Sequence, residues 1–257
     1  MTVSFIPSLG VSRLWHMVAV QYRRVTSFLL KILYGVRQTG VVEDRAPNAA
    51  HTCPRHLVYN PIPGPWRREL SPALPENAYQ IPDRHDIPHG KIYYITKGHF
   101  IGCGATSFVE KLSSGNIVKS PKPNPYCPHE EVRCRQELMV EFEVYRRIGS
   151  SSRVPALIDW DADSHCLILE YLENGDLVSY LRQHASRVTA KQRQDWTVQA
   201  AEALAVIHQA DVIHCDVTPR NFILNGTLEL HIADFAGSSV AGSLPTVTTS
   251  PRFQPPG

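Results

Sequence analysis

Nine prolines lie between Pro47 and Pro88. Proline lacks a backbone N–H and fixes φ, so a stretch this dense forbids long helices and central strands. Residues 45–90 therefore read as an irregular linker. The folded domain is expected to begin near Lys91, which divides the chain into an extension, 1–90, and a domain, 91–257.

Residues 1–42 contain no acidic residue but carry Arg13, Arg23, Arg24, Lys31 and Arg37. Within them LWHMVAVQYRRVTSFLLKILYGV is apolar and interrupted by charge. Its longest uncharged run falls short of the roughly 20 residues a bilayer span needs. An acid-free, arginine-containing, amphipathic start also fits an organelle transit peptide. The plainer reading is a helix lying on the domain, or a weakly ordered extension. Cytoplasmic residence is the expectation, with mitochondrial import as the alternative.

The 26 basic residues are nearly balanced by 24 acidic ones. That balance argues against a general attraction to nucleic acid or anionic membranes. The six cysteines form no CxxC pair, and reduced thiols are the simpler reading.

The first ordered signal is KIYYITKGHFIGCGATSFVEKLSSGNIVKSP, 91–121. Apolar and β-branched runs flank IGCGATSFV, and SSG marks a turn, so the pattern is strand, glycine turn, strand, turn, strand. Gly102 and Gly104 would let backbone pass close to a ligand. A lone GxG is a weak signal, because hairpins also carry glycine for turn geometry. Lys119 then stands inside an apolar strand, where it must reach an anion or the surface.

EVRCRQELMVEFEVYRRIG, 131–149, has helical spacing. Cys134, Leu138, Tyr145 and Ile148 form a stripe, and Glu141 falls on it. An inward carboxylate needs a cation, and Lys119 is the candidate. The alternatives are a solvated Glu141, or Glu137 as the inward acid. VPALIDW and CLILEYLENGDL read as strands, the second buried and ending in a polar turn. Thr189 and Gln192 form a capping-box pattern for a helix whose buried face is Trp196, Ala200, Ala203 and Ile207. FILNGTLELHIADF reads as a hairpin about Asn225–Gly226. It would bring Asp234 near Asn221, beside Asp216 in VIHCDVTPRNFIL. Such hard oxygen ligands suit Mg²⁺ with a phosphate substrate.

In order, GxGxxSxV, an inward lysine, a helical glutamate, EYLENGDL, HxDxxxxN and DF resemble eukaryotic protein kinases over about residues 92–257. IGCG, IHCD and IADFAGSS are similar to kinase-like proteins of fungi. The resemblance implies an α+β fold: a small antiparallel β lobe with one helix, over a partial, mainly helical lobe, with ATP in the cleft between them. It also implies roles. Gly102, Gly104 and Ser107 would cover the phosphates, and Val109 would pack on adenine. Lys119 would hold the α- and β-phosphates and pair with Glu141. Leu169 would guard the back of the pocket. Glu170 and Leu172 would offer backbone hydrogen bonds to adenine, and Asp176 would reach the ribose. Asp216 would take the acceptor proton, Arg220 would steady the γ-phosphate, and Asn221 and Asp234 would hold magnesium. His214 would brace the loop.

Several positions depart from the family pattern. Ser107 replaces the third glycine, Ile117 an alanine, and Ala236 the glycine of DFG. Cys215 replaces the arginine of HRD, making the chain non-RD and removing the usual partner of an activation-segment phosphate. Residues 237–257 offer serines and threonines from Ser238 to Ser250 as phosphate acceptors. SPRFQPPG resembles the close of an activation segment, so the helical lobe is expected to be incomplete, with apolar surface exposed. The implied function is transfer of the γ-phosphate of Mg·ATP to a protein hydroxyl, serine or threonine ahead of tyrosine. The alternatives are a nucleotide-binding pseudokinase, and a small-molecule phosphotransferase of the aminoglycoside or choline kinase type. The hinge and glycine loop argue against the last.

Overall fold

The computed structural model describes residues 56–63, 82 and 86–243. The acid-free N-terminal stretch and the serine/threonine-rich end beyond residue 243 lie outside the described residues, so the expectations placed on them do too. The described chain forms two compact units. One runs up to Phe142 and includes Leu157–Tyr171; the other comprises Glu143–Ala156 and the chain from Leu172 onward.

The first unit is built on an antiparallel sheet. Its strands are β3 (His99–Cys103), β4 (Ser107–Lys111), β5 (Ile117–Pro121), β6 (Leu157–Asp161) and β7 (Cys166–Leu169), in the order β3-β4-β5-β7-β6. Val118, Cys166 and Ile168 form its core, with Leu112 packed against them. All four β7 residues are buried, as the apolar run CLIL requires. A single long helix, α1 (Pro128–Ile148), follows β5. It starts three residues earlier than the spacing suggested, with Glu130 and Glu131 in its first turn and Arg146 and Arg147 in its last. Those charges favour both ends of the helix dipole.

The proline-rich stretch is not uniformly irregular. Val58–Pro63 forms β1, which pairs in parallel with β2 (Lys91–Thr96). The prolines argued against a central strand, and β1 is not one: it lies at the edge of a two-stranded sheet, where Pro61 and Pro63 can be tolerated. The expected first strand is also split in two. Between β2 and β3 the backbone of Gly98 lies so close to β4 that a Cβ there would sit 2.2 Å from the Lys111 carbonyl oxygen. Beside this break the buried carboxylate of Glu110 accepts from the Lys97 N–H at 2.8 Å. Burial raises its pKa above the ordinary carboxylate value. β1 contributes Tyr59, edge-to-face on Phe108 at 5.1 Å, while Tyr94 of β2 stacks on the same ring at 4.5 Å.

Besides the last residues of α1, the second unit has α2 (Leu177–His184) and α3 (Ala190–Gln209) among the described residues. Thr189 caps α3 by accepting from the Gln192 N–H at 3.1 Å. Trp196, Ala200, Ala203 and Ile207 form its buried face, as their spacing indicated. α2 was not foreseen: Asp176 caps it by accepting from the Ser179 N–H at 3.0 Å. β9 (Phe222–Leu224) and β10 (Leu230–Ile232) make the expected hairpin. Its turn is not a tight Asn-Gly turn, however. The Asn225 Oδ1 accepts from Thr227 and Glu229, and the residue with positive φ is Leu228, not Gly226. The side chain of Asn225 thus closes a wider loop. Trp196 Nε1 secures that loop by donating to the Leu228 carbonyl at 2.8 Å. The expected broad apolar exposure is not seen among the described residues of this unit, where Val198 is the one exposed large hydrophobic side chain.

Candidate active site

In the sheet unit, Lys119 sits in β5 between β4 and β7, opposite Val109 on one side and Leu167 on the other. It is therefore not an edge-strand surface lysine. Its Nζ donates to Glu141 Oε2 at 2.6 Å, with the two side chains 8% and 0% exposed. Glu141 shares the inward stripe of α1 with Cys134, Leu138 and Tyr145, all buried. Glu137 is buried as well, but its cation is Arg133, at 2.9 Å. The pairing of Glu141 with Lys119 therefore holds and a solvated Glu141 does not, while Glu137 turns inward as well and meets a different cation.

The glycine turn joins β3 to β4. β3 carries a bulge between Phe100 and Gly102, and the Gly104 N–H donates to the Ser107 carbonyl at 2.9 Å. Neither Gly102 nor Gly104 has a positive φ, so turn geometry does not demand glycine. A Cβ on Gly102 would meet nothing within 4 Å, and one on Gly104 only the Ser107 hydroxyl at 3.7 Å. Packing within the chain does not demand glycine either. What both glycines provide is bare backbone, the property a close-approaching anion uses. Ser107 is buried, Val109 half-buried and Glu170 exposed. Ile117 pairs with Leu169 at the far end of β5.

In the second unit, β8 (Val212–Ile213) pairs with β11 (Ser239–Val240) and leads into the loop that bears Asp216. His214 is buried and bridges two segments. Its Nε2 lies 2.9 Å from the Ala233 carbonyl, and its Nδ1 lies 3.3 Å from the Asp216 N–H. An Nδ1 that accepts leaves the proton on Nε2, so the ring is neutral and braces the loop. Burial pushes its pKa below the ordinary histidine value. A short 3-10 turn, Pro219–Asn221, then places Asn221. The Asn221 Nδ2 donates to both the Asp216 carbonyl, 2.7 Å, and its carboxylate Oδ2, 3.0 Å. The Ala233 N–H donates to the Asn221 carbonyl at 2.9 Å, so the hairpin does return Asp234 to Asn221. Asp216, Arg220 and Asp234 are exposed. Cys215 and Asp234 are both left-handed, at φ 62 and 68. That conformation is costly for a residue other than glycine, and it often marks a functional loop.

Two sequence expectations are modified. Asp176, read as a ribose ligand, spends one carboxylate oxygen as the cap of α2. Ser238 and Ser239, read as phosphate acceptors, are each 1% exposed. The Ser238 hydroxyl donates to the His214 carbonyl at 3.4 Å, and that of Ser239 to the Ser243 carbonyl. Sequence reasoning missed Lys122 altogether, although it stands three residues after Lys119 and directly after the paired strand.

Within the second unit, Asn221 and Asp234 are oxygen donors of the type that suits magnesium. Among the described residues no three histidine, cysteine or acidic side chains form a metal cluster. Mg²⁺ does not need one, since it is commonly held by one or two carboxylates plus substrate phosphates. With its amide hydrogens turned to Asp216, Asn221 keeps Oδ1 as a hard oxygen donor, and its carbonyl is bonded to the residue before Asp234. The five cysteines among the described residues are thiols and not disulfides. No helix among these residues is long and apolar enough to cross a membrane.

Comparison with known proteins shows the family. Residues 116–244 match the family described as protein tyrosine and serine/threonine kinase. Serine/threonine-protein kinase tousled-like 2 of Xenopus tropicalis is 34% identical over 108 residues, covering 39% of this chain and 15% of that protein. Serine/threonine-protein kinase PKH2 of Saccharomyces cerevisiae is 24% identical over 160 residues, 61% of this chain and 15% of that protein. Mitogen-activated protein kinase kinase 7 of Arabidopsis thaliana is 28% identical over 152 residues, 57% of this chain and 47% of that protein. The chain thus spans less than half the length of these relatives. With half of its own length inside the family pattern, and the paired Lys119–Glu141 and the Asp216–Asn221 loop in the family's order, the chain belongs to the eukaryotic protein kinases.

Proposed function

We propose that the chain transfers the γ-phosphate of Mg·ATP to a protein hydroxyl, serine or threonine in preference to tyrosine. The observation that carries this reading is the buried pair of Lys119 and Glu141 at 2.6 Å. Burying such a pair costs desolvation that a well-packed apolar pair would avoid, which supports a role for it beyond stability. Here Lys119 would meet the α- and β-phosphates, while the bare backbone at Gly102 and Gly104 covers them and Val109 packs on the base.

Asp216 accepts the proton of the acceptor hydroxyl. Asn221 holds its Oδ2 at 3.0 Å, which leaves Oδ1 to meet the substrate. Asn221 and Asp234 hold Mg²⁺, which when bound neutralises charge on the phosphates. Arg220, exposed on the same loop, steadies the γ-phosphate. The preference for serine or threonine is supported by relatives named as serine/threonine kinases. A second reading, nucleotide binding without transfer, is favoured by Cys215 and by Ala236 at the glycine position of DFG.

The test is incubation of the full chain with radiolabelled Mg·ATP and a degenerate peptide library, followed by phosphoamino-acid analysis. Phosphoserine or phosphothreonine is expected. Phosphotyrosine alone would reverse the acceptor assignment. Binding of Mg·ATP with no transfer would favour the second reading, and no binding would remove both.

A further inference from the structure

Lys122 makes two contacts with the glycine turn. Its backbone N–H donates to the Thr106 carbonyl at 2.9 Å, and its Nζ donates to the Gly104 carbonyl at 2.6 Å. The turn's own bond, Gly104 N–H to the Ser107 carbonyl, closes the same four residues at 2.9 Å. Lys122 Nζ also lies 5.4 Å from the Phe108 ring and 5.9 Å from the Tyr59 ring, so strands β4 and β1 bracket its side chain. Cation–aromatic contacts at this range favour the same side-chain position.

The peptide linking Gly104 to Ala105 is trans, because no cis bond occurs among the described residues. In a trans peptide the carbonyl and the N–H point in opposite directions. Drawing the Gly104 oxygen onto Lys122 therefore turns the Ala105 N–H away from Lys122, as a donor on the opposite side of the turn. Without the lysine side chain the Gly104 carbonyl loses this partner, and the turn keeps only its backbone bonds. A glycine in place of Ser107 would loosen the turn; instead Ser107 is buried, at 5% exposure.

We propose that Lys122 is a positioning residue that presets the glycine turn and aims its Ala105 N–H at a nucleotide phosphate. The proposal rests on the reading of this turn as a phosphate cradle. It differs from the role of Lys119, which meets the phosphates itself.

The experiment uses the full chain with Lys122→Met and Lys122→Arg. Amide hydrogen exchange over residues 104–107 is measured without nucleotide, and Mg·ATP affinity is measured by calorimetry. Loss of one partly exposed hydrogen bond should speed exchange and weaken Mg·ATP binding by roughly three- to tenfold each. Lys122→Arg should restore both, because arginine can reach the same carbonyl. Exchange and affinity within twofold of the parent in Lys122→Met would overturn the proposal, as would failure of arginine to rescue either. If Lys122→Met does not fold, Lys122→Gln carries the same comparison. If the parent binds no Mg·ATP, the kinase reading fails, and the nucleotide-free exchange still decides whether Lys122 holds the turn.

Discussion

Lys119 Nζ and Glu141 Oε2 lie 2.6 Å apart, joining the middle of a five-stranded sheet to the one helix that follows it. Removing a single partner of such a buried pair strands a charge. Glu141→Ala should therefore lower unfolding free energy in urea by about 3–5 kcal/mol. Replacing both residues, as Lys119→Met with Glu141→Leu, should recover most of that loss, yet neither variant should bind Mg·ATP in calorimetry. Equal stability of Glu141→Ala and the parent would mean that the pair is not a structural unit.

Asp216→Asn keeps the side-chain shape and removes the proton acceptor. Phosphate transfer should fall by at least about a hundredfold, with Mg·ATP affinity little changed. Unaltered turnover in this variant would place the chemistry elsewhere.

His214 predicts a pH dependence of stability. Burial depresses its folded-state pKa, so on acidification through about pH 6.5 the unfolded chain takes up a proton that the folded chain refuses. Stability from this group is present above that pH and lost below it. His208, also depressed by burial, acts in the same direction. Comparing the parent with His214→Gln between pH 7.5 and 5.5 isolates the His214 part. The variant should be less stable at pH 7.5 but should have a shallower acid slope, by up to about 1.4 kcal/mol per pH unit. Parallel slopes would contradict a neutral, buried His214.

Gly98→Ala should be among the most damaging small substitutions in the sheet unit. Its Cβ would meet the Lys111 carbonyl at 2.2 Å, and backbone rather than a flexible side chain would have to move. A loss of about 2 kcal/mol or more is expected in chemical denaturation. Gly102→Ala, which meets nothing within 4 Å, should leave stability nearly unchanged and lower nucleotide affinity instead.

Ser238 and Ser239 should not carry phosphate in the folded chain. Both are buried, and mass spectrometry after incubation with ATP should find neither modified. Ser239→Glu should destabilise by about 1–3 kcal/mol, because it buries an acid where a hydroxyl was bonded.

Much of the candidate site was legible in the sequence because its residues carry two signals at once. Lys119 and Glu141 are charges inside apolar periodicity, and each explains the other. The Asn225–Gly226 hairpin was placed correctly, though its turn type was not, since a side-chain acceptor replaced the positive φ of glycine. α2 was missed because Asp176 closes a motif that suggests ribose recognition, and the cap it provides uses the same carboxylate. β1 was missed because proline density excludes central strands but leaves an edge strand possible. The burial of Ser238 and Ser239 could not be read either, since it depends on the pairing of β11 with the distant β8.

β1 carries none of the residues assigned to chemistry, yet it covers one side of β2 and supplies Tyr59 to the Phe108 cluster. A chain cut after Pro63 by a protease and stripped of that strand would keep every motif. It would also present the β2 edge that β1 pairs as a bare row of N–H and C=O groups, beside a Phe108 ring that has lost its Tyr59 contact. Such an edge is a template for a second chain. The expected fate of the shortened protein is self-association, visible as light scattering that grows with concentration, so what β1 protects is solubility.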